Sequence, residues 1–485
     1  MLAVFSAVRV LASGGTFDLP DAGCPQAHCN LQMTDQVGVT APVSPTAIIY
    51  TDDLSIGATK GLGCSSNGVD TAACTFGVRV TNCPTGSETI TNTLAIYRID
   101  GAGDIDVWRS GTLLSCRAYA SAPLVAEDGG IITADEKLAV RLAADNSIVW
   151  TTTHITEALP ISPILVQTEG ITQAVVVATG NLPNAAYAPI YAYDAASGDL
   201  LGPPLNLTVE GDRFATRNTP GGLNQRIYVS ANGIADETAG RLFAVDVMTT
   251  GLTIAWGDEP EGQATTAFIA PAVEFVGPSG ASPLVVPLEG FITQTMVLFD
   301  GNLEVNSEEQ PHILAVQDGI SGPSIVWTKT MTGPVRASFA LDLRLTNTLT
   351  TTMWAFTTKP EDGTYADHRY LYRYRVADGN LVQVVDVDAL VDEPGIYVPS
   401  SAISMAGNAN EPVLIVAATR YNPTTGTPMK TFVIAIDLTV SIRQPLWKVE
   451  LPYNVGQFPI STDATNGPLI WVNSWSEGVR VVGED

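Results

Sequence analysis

The chain has few basic residues, few histidines, no cysteine after Cys116 and no long apolar run, and each shortage removes a class of function. Lys and Arg total 24 against 50 Asp and Glu, a net charge of −26 at pH 7. A surface of that sign repels nucleic acid and anionic membranes, so neither is expected as a partner. Its simplest role is solubility in an extracellular medium. No apolar run approaches the ~20 residues that a membrane-spanning helix needs. The opening stretch MLAVFSAVRVLASGG lacks a basic leading region and is interrupted by Arg9, so it is read as part of the fold and not as a signal peptide. No Gly-x-Ser-x-Gly elbow, HExxH helix or Walker loop occurs, which removes the easiest hydrolase and nucleotide readings.

The 4 histidines leave little for a metal centre. Cys24, His28, Cys29 and Met33 lie within ten residues and are soft ligands of the type copper takes, but no second cluster completes a site. A disulfide within this loop, or from it to the first repeat, is expected instead. The six cysteines, Cys24, Cys29, Cys64, Cys74, Cys83 and Cys116, form an even set without a CxxC motif. That favours disulfides and an oxidising compartment, extracellular, cell-surface or periplasmic. Cys83 follows the second strand of the first repeat and Cys116 its fourth, ends that share an edge, so these two are expected to pair. Cys64 and Cys74 are expected to staple one long loop at the opposite edge. The sequon Asn206-Leu207-Thr208 is a weak candidate glycan acceptor.

What the chain does have is a repeat. In RLFAVDVMTTGLTIAW, residues 241–256, an alternating run leads through a Thr/Gly turn into a second short run that ends on Trp256. Alternation marks a half-buried strand, and two such runs across a Gly turn make a hairpin. Copies end at Trp108, Trp150, Trp327 and Trp447, with weaker ones ending at Gly202 and Val385. In each, a small residue (Ala139, Ala244, Ala315 or Ala435) is placed where the third strand would approach the neighbouring unit. Asp or Gly makes the turn. The Trp is read as core, burying a large face between units.

The spacing of the copies drifts, which excludes a solenoid of fixed length but suits a β-propeller with variable loops. The fold class is therefore all-β, a single eight-bladed propeller of four-stranded antiparallel blades over residues 1–485. Residues 1–12 are assigned as the closing strand and 13–42 as an entry loop. The blades are assigned to 43–110, 119–151, 158–208, 214–258, 267–330, 333–388, 396–450 and 456–485. The first is assigned the strands Ser44–Tyr50, Phe76–Thr81, Leu94–Ile99 and Ile105–Trp108. The fifth is assigned Ala272–Phe275 as its first strand and an insertion around Gly277–Glu289.

The stretches AYDAASGDLLG (192–202) and AVDVMTTGLTIAW (244–256) resemble the Ala-x-Asp-x-x-Thr-Gly-x-x-x-Trp docking motif of quinoprotein-like, or PQQ-like, eight-bladed β-propellers. The entry segment AHCNLQMTDQVGVTAP (27–42) is similar to the stretch that precedes their first blade. For a catalytic member the resemblance implies pyrroloquinoline quinone on a platform of adjacent cysteines and a Trp. It also implies a Ca²⁺ held by carboxylates and an amide, and an Asp base. No adjacent cysteine pair exists here. Three acidic groups are candidates for Ca²⁺: Asp100, Asp104 and Asp106; Asp258, Glu259 and Glu261; and Asp386, Asp388, Asp392 and Glu393. None has Asp-x-Asp-x-Asp-Gly spacing, so solvated loop charges are expected. No catalytic, cofactor or metal residue is assigned.

The expected role is a non-catalytic module that binds another extracellular protein or copies of itself. A PQQ- and calcium-dependent dehydrogenase is the alternative. A carbohydrate-binding propeller is a second alternative, for which Tyr365, Tyr370, Tyr372 and Tyr374 would supply an exposed aromatic row.

Overall fold

The computed structural model describes the strands and the helix given below, with the tight turns that join them. Residues 1–38 and most of the longer connections (80–89, 154–161, 258–272, 301–311 and 360–367 among them) lie outside the described residues.

The described strands form eight antiparallel sheets, and the four main strands of seven follow chain order without a crossover. The first holds β2 (Thr59–Ser66), β3 (Thr71–Arg79), β4 (Ile90–Ile99) and β5 (Ile105–Arg109). The second holds β6 (Leu124–Val125), β7 (Ile131–Ala134), β8 (Leu138–Leu142) and β9 (Ile148–Thr153). The third is β10 (Ile164–Gln167), β11 (Gln173–Ala178), β12 (Ala188–Asp194) and β13 (Leu205–Leu207). The fourth is β14 (Val209–Thr216), β15 (Gln225–Gly233), β16 (Gly240–Met248) and β17 (Gly251–Trp256). The fifth is β19 (Leu284–Val285), β20 (Gln294–Asp300), β21 (His312–Gly319) and β22 (Gly322–Thr330). The sixth is β23 (Ala340–Leu341), β24 (Thr352–Lys359), β25 (His368–Arg375) and β26 (Leu381–Asp386), followed by the helix α1 (Val387–Val391). The seventh is β27 (Ile396–Gly407), β28 (Pro412–Tyr421), β29 (Pro428–Asp437) and β30 (Trp447–Pro452).

The eighth sheet mixes the two ends of the described chain: β31 (Ile460–Asp463), β32 (Gly467–Ser474) and β33 (Gly478–Gly483) are completed by β1 (Ala47–Asp53). The pairing of β1 with β33 runs from Ala47 opposite Gly483 to Asp53 opposite Gly478. This corrects two expectations. The outer strand comes from Ala47–Asp53 and not from residues 1–12, which lie outside the described residues. The first sheet opens with β2 and not with Ser44–Tyr50. The reason is compositional: TKGLGCSS is rich in Gly and Ser and gives no strand signal, whereas AIIYTDD opens with a short apolar run.

The fifth unit needs a similar correction. Val273–Phe275, here β18, pairs with Gly240–Leu242 of β16 and so extends the fourth sheet. The inner strand of the fifth sheet, Leu284–Val285, falls inside the stretch assigned as an insertion.

Side chains from adjacent sheets share the core. Six clusters join the sheets in chain order, one of them spanning the third to the fifth, and a seventh joins the eighth to the first through Trp471, Leu469, Cys74 and Tyr97. Central strands are buried on both faces. In β32, Leu469 and Trp471 pack towards the first sheet while Ile470 and Val472 pack towards the seventh. Two buried faces turn the alternating pattern into a continuous apolar run, PLIWV.

Cys64 and Cys74 form a disulfide, as expected, but not across a loop: they are opposite residues of β2 and β3, both fully buried. Cys24, Cys29, Cys83 and Cys116 lie outside the described residues. Replacing Cys64 and Cys74 together by alanine is expected to cost roughly 3 kcal/mol, the loop-closure contribution for a short loop, measured as a shift in the urea midpoint.

Candidate functional site

The most organised polar geometry among the described residues lies between sheets. The indole N–H of Trp150, on β9, donates to the carbonyl of Ala195 in the third sheet at 3.0 Å. Trp327, on β22, donates to Val376 in the sixth sheet at 2.9 Å, and Trp447, on β30, to Pro42 beside the eighth sheet at 2.7 Å. Each Trp thus ties its own sheet to the next. A net stabilisation of about 1 kcal/mol for each hydrogen bond is smaller than the gain from burying the ring itself. The acceptor turns are built to admit the indole. Gly198 and Gly379 have positive φ, and a Cβ on either would lie under 3 Å from the Trp150 or Trp327 ring. Asp194 holds its turn by accepting from the backbone N–H groups of Ala196 and Ser197.

The alanines assigned to close approach are fully buried. Ala244, Ala315 and Ala435 lie directly opposite Trp256, Trp327 and Trp447 in the register. Ala139 is the exception, since Arg141 stands opposite Trp150 and donates to the same Ala195 carbonyl at 2.8 Å. Trp108, half-buried, packs on the core shared by the first two sheets.

Trp256 differs from the other three docking indoles, because its N–H donates to a carboxylate, Asp318 Oδ1, at 2.9 Å. Asp318 is the penultimate residue of β21 and is 1% exposed. Its Oδ2 accepts from Tyr228 Oη at 2.7 Å and from Arg226 Nη1 at 2.9 Å. Arg226 also grips Asp246 in a bidentate pair at 2.7 and 3.0 Å. Arg226 and Tyr228 project from one face of β15, opposite Asp246 and Ala244 of β16. A buried carboxylate is tolerable only when it is hydrogen-bonded, and three donors reach this one, one at Oδ1 and two at Oδ2. Burial alone lowers the Arg226 guanidinium, but Asp246 and Asp318 outweigh it and hold the group above the ordinary arginine range. A second buried pair, Asp342 with Arg373 at 2.8 Å, adds Thr352 and places the guanidinium over the Trp354 ring.

The acidic groups weighed for calcium are committed elsewhere. Asp100 Oδ1 accepts from the N–H groups of Ala102 and Asp104 to close a turn, and Asp106 accepts from Val107. Asp386 is the N-cap of α1, accepting from Ala389, and Asp392 is its left-handed C-cap. Asp388 lies in the first turn of the same helix. Glu393 pairs with Lys430 at 2.7 Å, and that hydrogen bond holds its carboxyl below the usual range. Asp100, Asp104, Asp106, Asp386 and Asp392 are exposed, as expected of solvated loop charges, and Asp100, Asp386 and Asp392 cap turns or the helix as well. Asp258, Glu259 and Glu261 lie outside the described residues, as do His28 and Met33. Among the described residues no three His, Cys, Asp or Glu side chains gather as a metal site.

The tyrosine row is not an exposed platform. Tyr372 and Tyr374 stack at 6.0 Å and pack on the core shared with the fifth sheet, where Tyr374 reaches Met331. Burial pushes the Tyr374 hydroxyl well above its ordinary pKa. Tyr370 meets Tyr372 edge-on, and Tyr365 lies outside the described residues. Asn206 is half-buried in the outer strand β13, opposite Pro189.

One exposed carboxylate carries a measurable signature. Asp378 is paired with Arg375, whose hydrogen bond holds its carboxyl down at about 2. A depressed carboxyl stabilises the fold above its unfolded pKa and loses that contribution as pH falls towards 2. Carbon-detected NMR titration should place Asp378 near that value, and Arg375→Gln should move it up towards the usual carboxylate range.

No family model matches the chain, and no curated protein sequence does. Among solved structures it is similar to a europium-containing methanol dehydrogenase, with a TM-score of 0.57 at 10% identity over 94% of this chain and 90% of that one. It also aligns with the propeller of Dos1, with a TM-score of 0.49 at 9% identity over 94% of this chain and 97% of that one. At 10% identity the likeness to the methanol dehydrogenase speaks for architecture alone, and with the eight sheets it makes this chain a β-propeller.

Proposed function

We propose that the chain is an extracytoplasmic propeller of eight blades closed into a ring, serving as a non-catalytic protein-binding or structural assembly module. Closure is supported by the clusters that join every sheet to the next and the eighth to the first. An oxidising compartment is supported by the buried Cys64–Cys74 disulfide.

The observation that carries the non-catalytic reading is the commitment of the ionisable groups. Asp318, 1% exposed, accepts at both carboxylate oxygens from Trp256, Tyr228 and Arg226, and Asp135, fully buried, accepts from the backbone N–H of Leu138. A catalytic base needs a lone pair turned towards substrate. The residues also do not fit the quinone and calcium of the resemblance. The adjacent cysteine platform is absent from the sequence, and the acids of the described clusters are caps and turn acceptors. No step is derived through either group.

Native mass spectrometry of protein purified from its source tests this reading. Multiples of the bare chain, or the chain with a second protein, are expected. A monomer carrying the mass of a quinone and a calcium ion, with substrate-dependent dye reduction, would overturn it.

A further inference from the structure

The Cys64–Cys74 disulfide lies on the seam between the first and the eighth sheets. Cys64 and Cys74 stand directly opposite in β2 and β3, and Ala95 of β4 continues the row. All three share one buried cluster with Tyr97 of the first sheet and Trp471, Val479 and Val481 of the eighth. The alternate residues Ala73, Leu94 and Ile96 face the second sheet instead. β2 runs beside β32, whose Trp471 ring lies tilted on Tyr97 with centroids 5.2 Å apart. Tyr50 of β1 also meets Tyr97, edge-on at 6.4 Å. Among the described residues no other seam holds a disulfide.

We infer that this pair is a redox lock on the seam: bonded, it lets the two sheets close on each other, and reduced, it loosens them. The reason is volume. Bonded sulfurs sit about 2 Å apart, whereas non-bonded heavy atoms settle at roughly 3.5–4.0 Å. The ladder that pairs Thr59 with Val78 and Ser66 with Ala72 keeps β2 and β3 from spreading, and the two Cα atoms stand 4.1 Å apart. The separated sulfurs must therefore swing out of the sheet towards the eighth. Trp471 and Tyr97 are fully buried there, and a close-packed interior has no room for that movement. The strands that lose packing are β32, β33 and β1, which carry Trp471, Val479, Val481 and Tyr50.

The reductant the lock answers to is a dithiol. Its thiolate attacks one protein sulfur, breaks the Cys64–Cys74 bond and leaves a mixed disulfide, which its second thiolate then resolves. Two electrons and two protons end on Cys64 and Cys74 as thiols, and the reductant leaves as a cyclic disulfide. Both cysteines are fully buried, so attack waits for the seam to open locally, and apolar surroundings keep the resulting thiols protonated.

Hydrogen–deuterium exchange of the full chain, read by mass spectrometry with and without dithiothreitol, tests the lock. Alkylation after quenching reports whether Cys64 and Cys74 are reduced. Amides of β32, β33 and β1 are expected to exchange about tenfold or more faster in the reduced protein, with those of β15, β16, β24 and β25 unchanged. Cys64→Ala, measured in the same reductant, leaves one thiol where two would crowd and should restore most of that protection, with every other cysteine in the same state as in the reduced protein. Acceleration spread evenly over all sheets would make the disulfide a general staple and overturn the lock. So would a Cys64→Ala chain that exchanges as fast as the reduced protein, or a Cys64–Cys74 bond that dithiothreitol leaves intact in the folded chain.

Discussion

Asp318→Ala is expected to destabilise the protein by about 3–5 kcal/mol, the range found when one member of a buried charged network is removed. The cost comes from what stays behind. Trp256 Nε1 and Tyr228 Oη would keep their burial and lose the Asp318 acceptor, and Arg226 would keep Asp246. Asp318→Asn preserves shape and one acceptor, so it should lose about half as much. Replacing Asp318 by Leu together with Arg226 by Met should recover part of the loss, because apolar groups of similar volume satisfy a buried site without donors. Chemical denaturation of the four proteins checks the series, and a loss under about 1 kcal/mol for Asp318→Ala would show that the network is not a structural pin.

Gly379→Val is expected to cost about 2–4 kcal/mol, combining left-handed strain with overpacking. Gly379 has φ +63°, and its added Cβ would stand 2.7 Å from the Trp327 ring and 2.9 Å from Lys329 Cγ. Trp327 cannot retreat without breaking its hydrogen bond to Val376. Gly101→Val supplies the contrast: no atom lies within 4 Å of its Cβ, so the change should stay within about 0.5 kcal/mol. Thermal unfolding of the pair separates the docking explanation from a general penalty for valine in a turn.

The hairpins that end on Trp were legible because an alternating third strand, an Asp or Gly turn and a terminal aromatic all lie within about 15 residues of chain. Inner strands were legible only when apolar. Thr59–Ser66 hides behind Gly, Ser and Cys, and Leu284–Val285 is too short to carry a period. The disulfide partners were identified while their setting was not, because opposite strand residues and loop ends are equally close in sequence. The Asp318 network was illegible in principle, since Arg226 and Asp318 stand 92 residues apart and Asp318 reads locally as one more turn aspartate. The one hint was Arg226 in QRIYVS, a charge on the same strand face as a tyrosine. The short helix α1 was missed for the opposite reason: its capping acids, Asp386 and Asp392, look like a solvated cluster until the Val387, Leu390 and Val391 face is seen to be buried.

The eighth sheet, shared by β1 and β33, has a consequence for how the protein is made. During synthesis the first seven sheets can pair among near neighbours as they emerge, each hairpin closing a short loop. Ala47 must wait for Gly483, so the last seam joins residues separated by nearly the whole chain. That contact carries the largest loop-closure entropy in the fold and belongs to the slow end of the relation between sequence separation and folding speed. Until it forms, β1 and the edge of β33 are open strands, the state in which a folding intermediate is most exposed to mispairing and to proteases. Once it forms, unfolding must reopen the same seam, so the step that makes folding late also makes the finished protein slow to come apart.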